Sequence, residues 1–203
     1  MSAATTDPYR EAVWEGVPAG APPERFERRR RFLLDHVAAG DRVLDLGCGE
    51  GDFTAALHEA GAHPVGVDVA REPLRRAAQR HPDLELRLWP TLAPLPAGDG
   101  EFDAAWAGEV IEHVTDTPGW LAEVHGSLCR DGLLLLTTPA HPRVLRLRLA
   151  LSDRAFEEHF SVRADHLRFF TARALRALLA DLGFDDVHVT RDGPTLLARA
   201  RRG

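Results

Sequence analysis

The sequence predicts an α/β fold in which a largely parallel sheet is covered by helices on both faces. Three observations carry this. Short apolar runs alternate with amphipathic stretches from residue 42 to residue 139, as right-handed strand–helix–strand crossovers require. The run Arg42–Leu46 (RVLDL) enters a glycine-rich turn that opens a helix. A second apolar run ends in an acid, Asp68, about twenty residues beyond that turn, where doubly wound folds place the carboxylate that holds a ribose diol.

Taken in order, residues 1–23 are rich in Ala, Pro, Gly and Thr, with Tyr9 and Trp14 as isolated aromatics, and read as an arm or lid without strong internal structure. Residues 23–37 form a helix with Phe26, Leu33, Leu34 and Val37 on one face. The arginine run at residues 28–31 reads as the solvated side of that helix rather than a phosphate site. Strands are expected at 42–46, 64–67, 84–88, 102–107 and 133–137, and helices at 51–60, 72–80 and 120–128. Residues 140–165 break the alternation with apolar and Arg residues and the cluster FEEHF, and are expected to cap the site. Thr171 starts an amphipathic helix carrying Leu175, Leu178, Leu179 and Leu182, stopped by Gly183. Residues 187–190 and 195–199 flank a Gly-Pro turn and read as a hairpin closing one sheet edge. The chain is divided accordingly: arm 1–23, core 24–139, cap 140–165, and a C-terminal helix and hairpin at 166–203 of one domain.

Composition narrows the chemistry. The 203 residues carry 25 basic and 31 acidic side chains, a net charge of −6, which argues against a broad basic nucleic-acid face. Every basic residue is Arg and there is no Asn. A phosphate-loop lysine, a Schiff-base lysine and N-glycosylation are therefore excluded. Two cysteines are too few for a disulfide framework or a paired-cysteine metal site. No apolar run approaches the ~20 residues that span a bilayer, and the expected compartment is the cytoplasm.

The glycine turn is Gly47-Cys48-Gly49-Glu50-Gly51, preceded by Asp45 and followed by Asp52. Glycines there allow tight turning and close approach of a ligand to the backbone. Carboxylates so placed would repel a pyrophosphate, whereas they suit the cationic amino group and sulfonium of S-adenosylmethionine.

The segments VLDLGCGEGDF, VGVDVA, LPAGDGEFDAAWAGEVIEHV and CRDGLLLLTTP, in this order, resemble the class I S-adenosylmethionine-dependent methyltransferases over residues 38–139, and DHLRFFTARALRALLADLGF extends the likeness. The resemblance implies a Rossmann-like, seven-stranded, mainly parallel sheet with a terminal antiparallel hairpin. It implies an enzyme using S-adenosylmethionine, with Asp45, Gly47, Cys48 and Gly49 along the methionine moiety. Asp68 would take the ribose hydroxyls, Val69 would pack on adenine, and residues up to Glu109 would approach the reacting methyl. Relatives carry an acid before the Leu-Pro element. Here Thr91 and Leu92 stand in that region, so Thr91, a backbone carbonyl or apolar contact holds the adenine.

Glu109, Glu112 and His113 would share one face of a helix and could converge on a divalent ion. Similar elements bind metal in RNA 3′-terminal ribose methyltransferases, and Asp165-His166 could add a ligand. The same element packs without metal in many relatives, and no metal is expected. His113 and His141 are the candidate bases, with His141 just past the fifth strand at the ligand-binding edge. The expected acceptor is a small molecule with an oxygen nucleophile. DNA and a membrane are not expected as partners, RNA is disfavoured, and the oligomeric state is left open. The rivals are a metal-dependent RNA 3′-end methyltransferase and a cofactor-binding protein without catalysis.

Overall fold

The computed structural model describes residues 8–89, 95, 100–160 and 166–203. Seven strands form one sheet: β1 (Arg42–Leu46), β2 (His63–Asp68), β3 (Glu85–Leu88), β4 (Phe102–Gly108), β5 (Leu128–Pro139), β6 (Phe184–Asp192) and β7 (Thr195–Arg202). Their order is β3-β2-β1-β4-β5-β7-β6, and only β7 runs antiparallel to its neighbours. This is the seven-stranded, mainly parallel architecture that the sequence predicts, with the terminal hairpin at one edge. The order reverses between β1 and β4, and Leu46 pairs with both Val67 and Ala107 there. The carboxyl ends of β1, β2 and β4 thus frame the crevice in which open α/β sheets bind ligands.

Side-chain alternation along the strands builds a core on each face. Leu44, Leu46, Val65, Val67, Leu134 and Leu136 pack with the helix α8 (Ala172–Asp181) through Leu175 and Leu179. Val43, Trp106 and Leu135 point to the other face and meet Leu33 of α2 (Phe26–Leu34) and Phe53 and Leu57 of α3 (Asp52–Glu59). Both faces are dry, which is why the strands read as nearly continuous apolar runs.

Element ends follow local chemistry. The helix α5 (Thr117–Ser127) starts ahead of the expected residue 120 because Asp116 accepts the amide of Gly119, with a proline in the first turn. Thr171 caps α8 through the amide of Ala174 at 3.2 Å. β5 begins at Leu128 rather than 133 because Leu128 pairs with Phe102 across a bulge.

One expectation is revised, and the cap region gains internal detail. The N-terminal arm contains a helix, α1 (Pro8–Glu15), which buries no residue of its own. It is held from outside: the carboxylate of Glu11 accepts the amides of Arg71 at 2.8 Å and Glu72 at 3.1 Å. Those amides are orphan donors at the start of α4 (Arg71–Arg80), and the acid also complements that helix end. The cap region contains two helices, α6 (Arg143–Leu151) and α7 (Asp153–His159), the second capped by Ser152.

Candidate functional site

The glycine turn lies at the carboxyl end of β1 with Gly47, Gly49 and Gly51 all in the left-handed region (φ 65°, 56° and 82°). A Cβ on Gly47 would stand 2.7 Å from a Val110 methyl, and one on Gly49 would stand 3.0 Å from the Trp14 indole. The turn is pinned by the Cys48 amide donating to Val67 O at 3.0 Å and by the Gly49 amide donating to Asp68 Oδ2 at 3.0 Å. Asp68 Oδ1 accepts the amide of Ala70 at 3.0 Å. Val69, half-buried, follows directly after β2. Burial pushes the Cys48 thiol well up, with Asp45 and Asp68 adding to it, so Cys48 is a neutral packing group of the turn.

Asp45 is buried and accepts the Thr54 hydroxyl at 2.6 Å. Burial raises its pKa to about 7; the Thr54 hydrogen bond opposes this and the charge of Asp68 reinforces it. Asp68 is also raised by burial, while the amides of Ala70 and Gly49 oppose the shift. Two buried acids that gain from a positive neighbour therefore face the mouth of β1 and β2.

Glu50 and Asp52 depart from the expected role. Glu50 accepts the amide of Gly20 at 2.8 Å and pairs with Arg76 and Arg80, each at 3.1 Å, while Asp52 pairs with Arg80 at 3.0 Å. Burial works against Glu50 ionisation, but the Gly20 amide and the two arginines outweigh it. These carboxylates are spent on arginines of α4 and, for Glu50, on the arm amide of Gly20, rather than on a ligand. Arg76 also donates to the carbonyls of Trp14 and Val17, at 3.1 and 2.8 Å, which fixes the Trp14 ring over the glycine turn.

Past β4, Glu109 has φ 60° and a buried Oε1 without a hydrogen-bond partner among the described residues. Its amide donates to Thr137 O at 3.0 Å. The next residues form a 3-10 turn over Ile111–His113, so Glu109, Glu112 and His113 do not share a helical face as the sequence predicts. Glu112 is fully buried and accepts the Thr138 hydroxyl at 3.0 Å through Oε2, with Oε1 unpartnered among the described residues. Burial and then Glu109 raise its pKa to about 8. Ligand-type atoms of Glu112, His113 and His166 lie within 4.8 Å of one another, so His166 takes the place expected for Glu109. The backbone explains this: the Glu112 carbonyl accepts the amides of Leu167 and Arg168 at 2.8 and 3.2 Å, which brings His166 alongside.

His141 follows β5 and stands 3.2 Å from His159, Nε2 to Nε2, with the Phe169 ring 5.0 Å away. Burial, with His159 and His166 as further causes, lowers its pKa, so the imidazole is neutral at neutral pH. Thr91, Leu92 and Asp165 lie outside the described residues.

One residue escaped the sequence reading. Arg29, expected on a solvated face, is buried, with its guanidinium 4.8 Å over the Phe53 ring and Nη1 donating to Glu24 O at 3.1 Å. Nη2 is the nearest atom to the Cβ position of Gly108, at the end of β4, while Nε has no hydrogen-bond partner among the described residues. Burial lowers its pKa against the pull of Glu109, Glu112 and Asp45. The signal was present: Arg29 lies three residues after Phe26 and four before Leu33, on the apolar side of the helix.

These groups fit S-adenosylmethionine. The glycines put no side chain of their own between a ligand and the turn's backbone, which Val110 and Trp14 border, while Asp45, Asp68 and Glu109 suit a cation and Arg29 offers a counter-charge for a carboxylate.

The family described as "Methyltransferase domain" matches residues 20–189. A probable S-adenosylmethionine-dependent methyltransferase of Mycolicibacterium smegmatis is 31% identical over 126 residues, covering 61% of this chain and 49% of that protein. A ubiquinone biosynthesis O-methyltransferase of Ruegeria sp. is 32% identical over 164 residues, covering 78% and 66%. The chain thus spans 49% and 66% of the length of these two relatives. In fold, it superposes on an S-adenosylmethionine-dependent methyltransferase from Mesorhizobium loti with a TM-score of 0.68 at 22% identity, covering 90% of this chain and 99% of that one. With the family match running through the glycine turn, Asp68 and five of the seven strands, the chain belongs to the methyltransferase domain family, among the class I S-adenosylmethionine-dependent methyltransferases.

Proposed function

We propose that the protein transfers a methyl group from S-adenosylmethionine to an oxygen nucleophile on a small molecule. The observation that carries this is the position of His141, two residues past the carboxyl end of β5, on the side of the sheet where β1 and β2 present the glycine cradle and Asp68; burial lowers its pKa, which suits a base. The likeness to the ubiquinone biosynthesis O-methyltransferase supports oxygen as the acceptor atom.

When bound, the cofactor supplies an electrophilic methyl on a cationic sulfur. Asp68 would accept the ribose hydroxyls through the lone pairs its amide partners leave free, with Val69 against adenine. Asp45, Gly47, Cys48 and Gly49 would line the methionine moiety, and Arg29 would meet its carboxylate. Glu109, whose buried Oε1 has no hydrogen-bond partner among the described residues, would face the positive end. His141 would take the acceptor's proton as its oxygen attacks the methyl, with His113 the alternative base; the electron pair of the breaking carbon–sulfur bond stays on sulfur. Free Cys48 and Cys129 suit a reducing compartment, as in the cytoplasm.

The test is label transfer from methyl-labelled S-adenosylmethionine to a panel of phenols, catechols, aliphatic alcohols and amines. Phenolic or alcoholic acceptors should be labelled, and His141→Ala should lower kcat by at least about a hundredfold at unchanged cofactor affinity. Labelling confined to amines overturns the oxygen reading.

A second reading, cation-assisted transfer onto a ribose hydroxyl of RNA, is favoured by Glu112 Oε1, which has no hydrogen-bond partner among the described residues and whose carboxylate lies near His113 and His166. Turnover that survives exhaustive chelation supports the first reading. Loss under chelation with recovery in Mg²⁺ or Mn²⁺ supports the second.

A further inference from the structure

Six of the seven large apolar side chains exposed among the described residues fall between positions 144 and 169. Three of them, Val144 (80% exposed), Leu147 (60%) and Leu151 (77%), lie on α6, a helix that buries none of its residues. At 3.6 residues per turn these three occupy an arc of about 60°, with Arg143 and Arg148 about 40° outside it on either side. Leu145 and Leu149, half-buried, lie on the opposite side with the exposed Arg146, and α6 packs against α7. α6 carries three arginines and no acid, in a chain of net charge −6. Arg143 and Arg148 make no salt bridge among the described residues.

We propose that the outward face of α6 is a docking surface for an anionic lipid bilayer. An apolar stripe bordered by arginines on both sides is the pattern of a helix lying in the interface plane, its apolar side chains in the acyl boundary and its guanidinium groups reaching to lipid phosphates. A second copy of the chain fits this face poorly. The nine-residue helix is only ~13.5 Å long, too little for the ~1,200 Å² of a stable interface, and a two-fold pairing would set arginine rows against each other. The absence of a membrane-crossing helix among the described residues bears on spanning and leaves surface attachment open.

The attachment also orients the enzyme. α6 begins four residues after Pro139 at the carboxyl end of β5, so a bilayer under α6 lies beside the edge that carries His141. The ring contacts Phe156–Phe160 (4.7 Å), Phe160–Phe169 (4.9 Å) and Phe169–His141 (5.0 Å) run from the cap surface to that edge. Resting on the methyl-transfer reading, this path suits an apolar acceptor that partitions into lipid.

The test is co-sedimentation of the full chain with vesicles of phosphatidylcholine alone and of phosphatidylcholine with phosphatidylglycerol, at low and high salt. It uses no acceptor and no turnover, so its outcome is separate from that of the transfer reading. The protein should bind the phosphatidylglycerol vesicles, less so in high salt. Arg143→Gln and Arg148→Gln should each weaken binding about fivefold, and Leu147→Asp by at least about tenfold. S-adenosylhomocysteine affinity, measured by calorimetry, should be the same in every variant, since α6 lies outside the cofactor cradle. Failure to bind either vesicle, or equal binding to both, overturns the proposal. So does a dimer in sedimentation velocity that Leu147→Asp dissolves, which would make a second copy the occupant.

Discussion

The Asp68 carboxylate at the end of β2 accepts the amide of Gly49 in the glycine turn at 3.0 Å, so the acid that would hold a ribose also shapes the cradle beside it. Cofactor binding and the local backbone are therefore coupled through one side chain. Asp68→Ala should remove charge-assisted hydrogen bonds and weaken S-adenosylhomocysteine binding by ~1.5–3 kcal/mol. Asp68→Asn keeps an acceptor for the amide and should lose less. Calorimetry with both variants checks the order; unchanged affinity in Asp68→Ala removes the ribose assignment.

Arg29 is expected to act on the carboxylate of the methionine moiety. Arg29→Met should weaken S-adenosylhomocysteine by at least about tenfold, yet leave 5′-methylthioadenosine, which lacks that carboxylate, within about threefold. Equal losses for both ligands would make Arg29 a packing residue under Phe53.

Asp45 makes stability depend on pH. Its pKa is about 7 in the fold against an ordinary 3.8. The folded state holds the extra proton between those values, so Asp45 costs nothing below about pH 4 and its penalty grows until pH passes about 7. Asp45→Asn keeps an acceptor for Thr54 and should stabilise the cofactor-free protein at pH 8 by up to ~4 kcal/mol, with little change at pH 4. Thermal melts at both pH values test the sign. The same variant should bind S-adenosylmethionine more weakly, because a cation favours the ionised carboxylate.

Gly47→Ala meets two obstacles, a left-handed backbone and the Val110 methyl 2.7 Å from the new Cβ. The backbone contributes ~1–2 kcal/mol of the loss. Val110→Ala combined with Gly47→Ala should recover only the steric part, so the double-mutant cycle on melting temperature should show positive coupling. Simple additivity would mean that Val110 moves aside without cost.

Arg76, held by Glu50 and Glu72, ties the arm to the core through the carbonyls of Trp14 and Val17. Arg76→Ala should free the arm while leaving the sheet intact. Limited proteolysis between residues 8 and 20 should become at least about fivefold faster, with the main melting transition retained. An unchanged cleavage rate would mean that Glu11 on the start of α4 is sufficient by itself.

Local sequence determined the sheet, the glycine cradle and the acid at its side. The short, nearly continuous apolar runs Val43-Leu44-Asp45-Leu46 and Leu134-Leu135-Leu136 are a property of neighbouring residues, and a two-sided apolar strand has few places to go except the middle of a covered sheet. Asp68 was found by its distance from the turn, because a crossover of fixed length carries it to the next strand end. Tertiary structure decided what depends on partners far away in the chain. α1 buries nothing of its own and is held by the orphan amides of α4, sixty residues on, so its composition reads as coil. His166 joins Glu112 and His113 because the Glu112 carbonyl takes two amides from a segment beyond the cap, and because Glu109 adopts φ 60°, which breaks the helical spacing that would have brought it there. Glu50 and Asp52 went to arginines of α4 rather than to the ligand. Arg29 lies between: its helical position marks it as inward-facing, but only the packing of Phe53 over the guanidinium and the missing side chain of Gly108 make that position tenable for a buried charge.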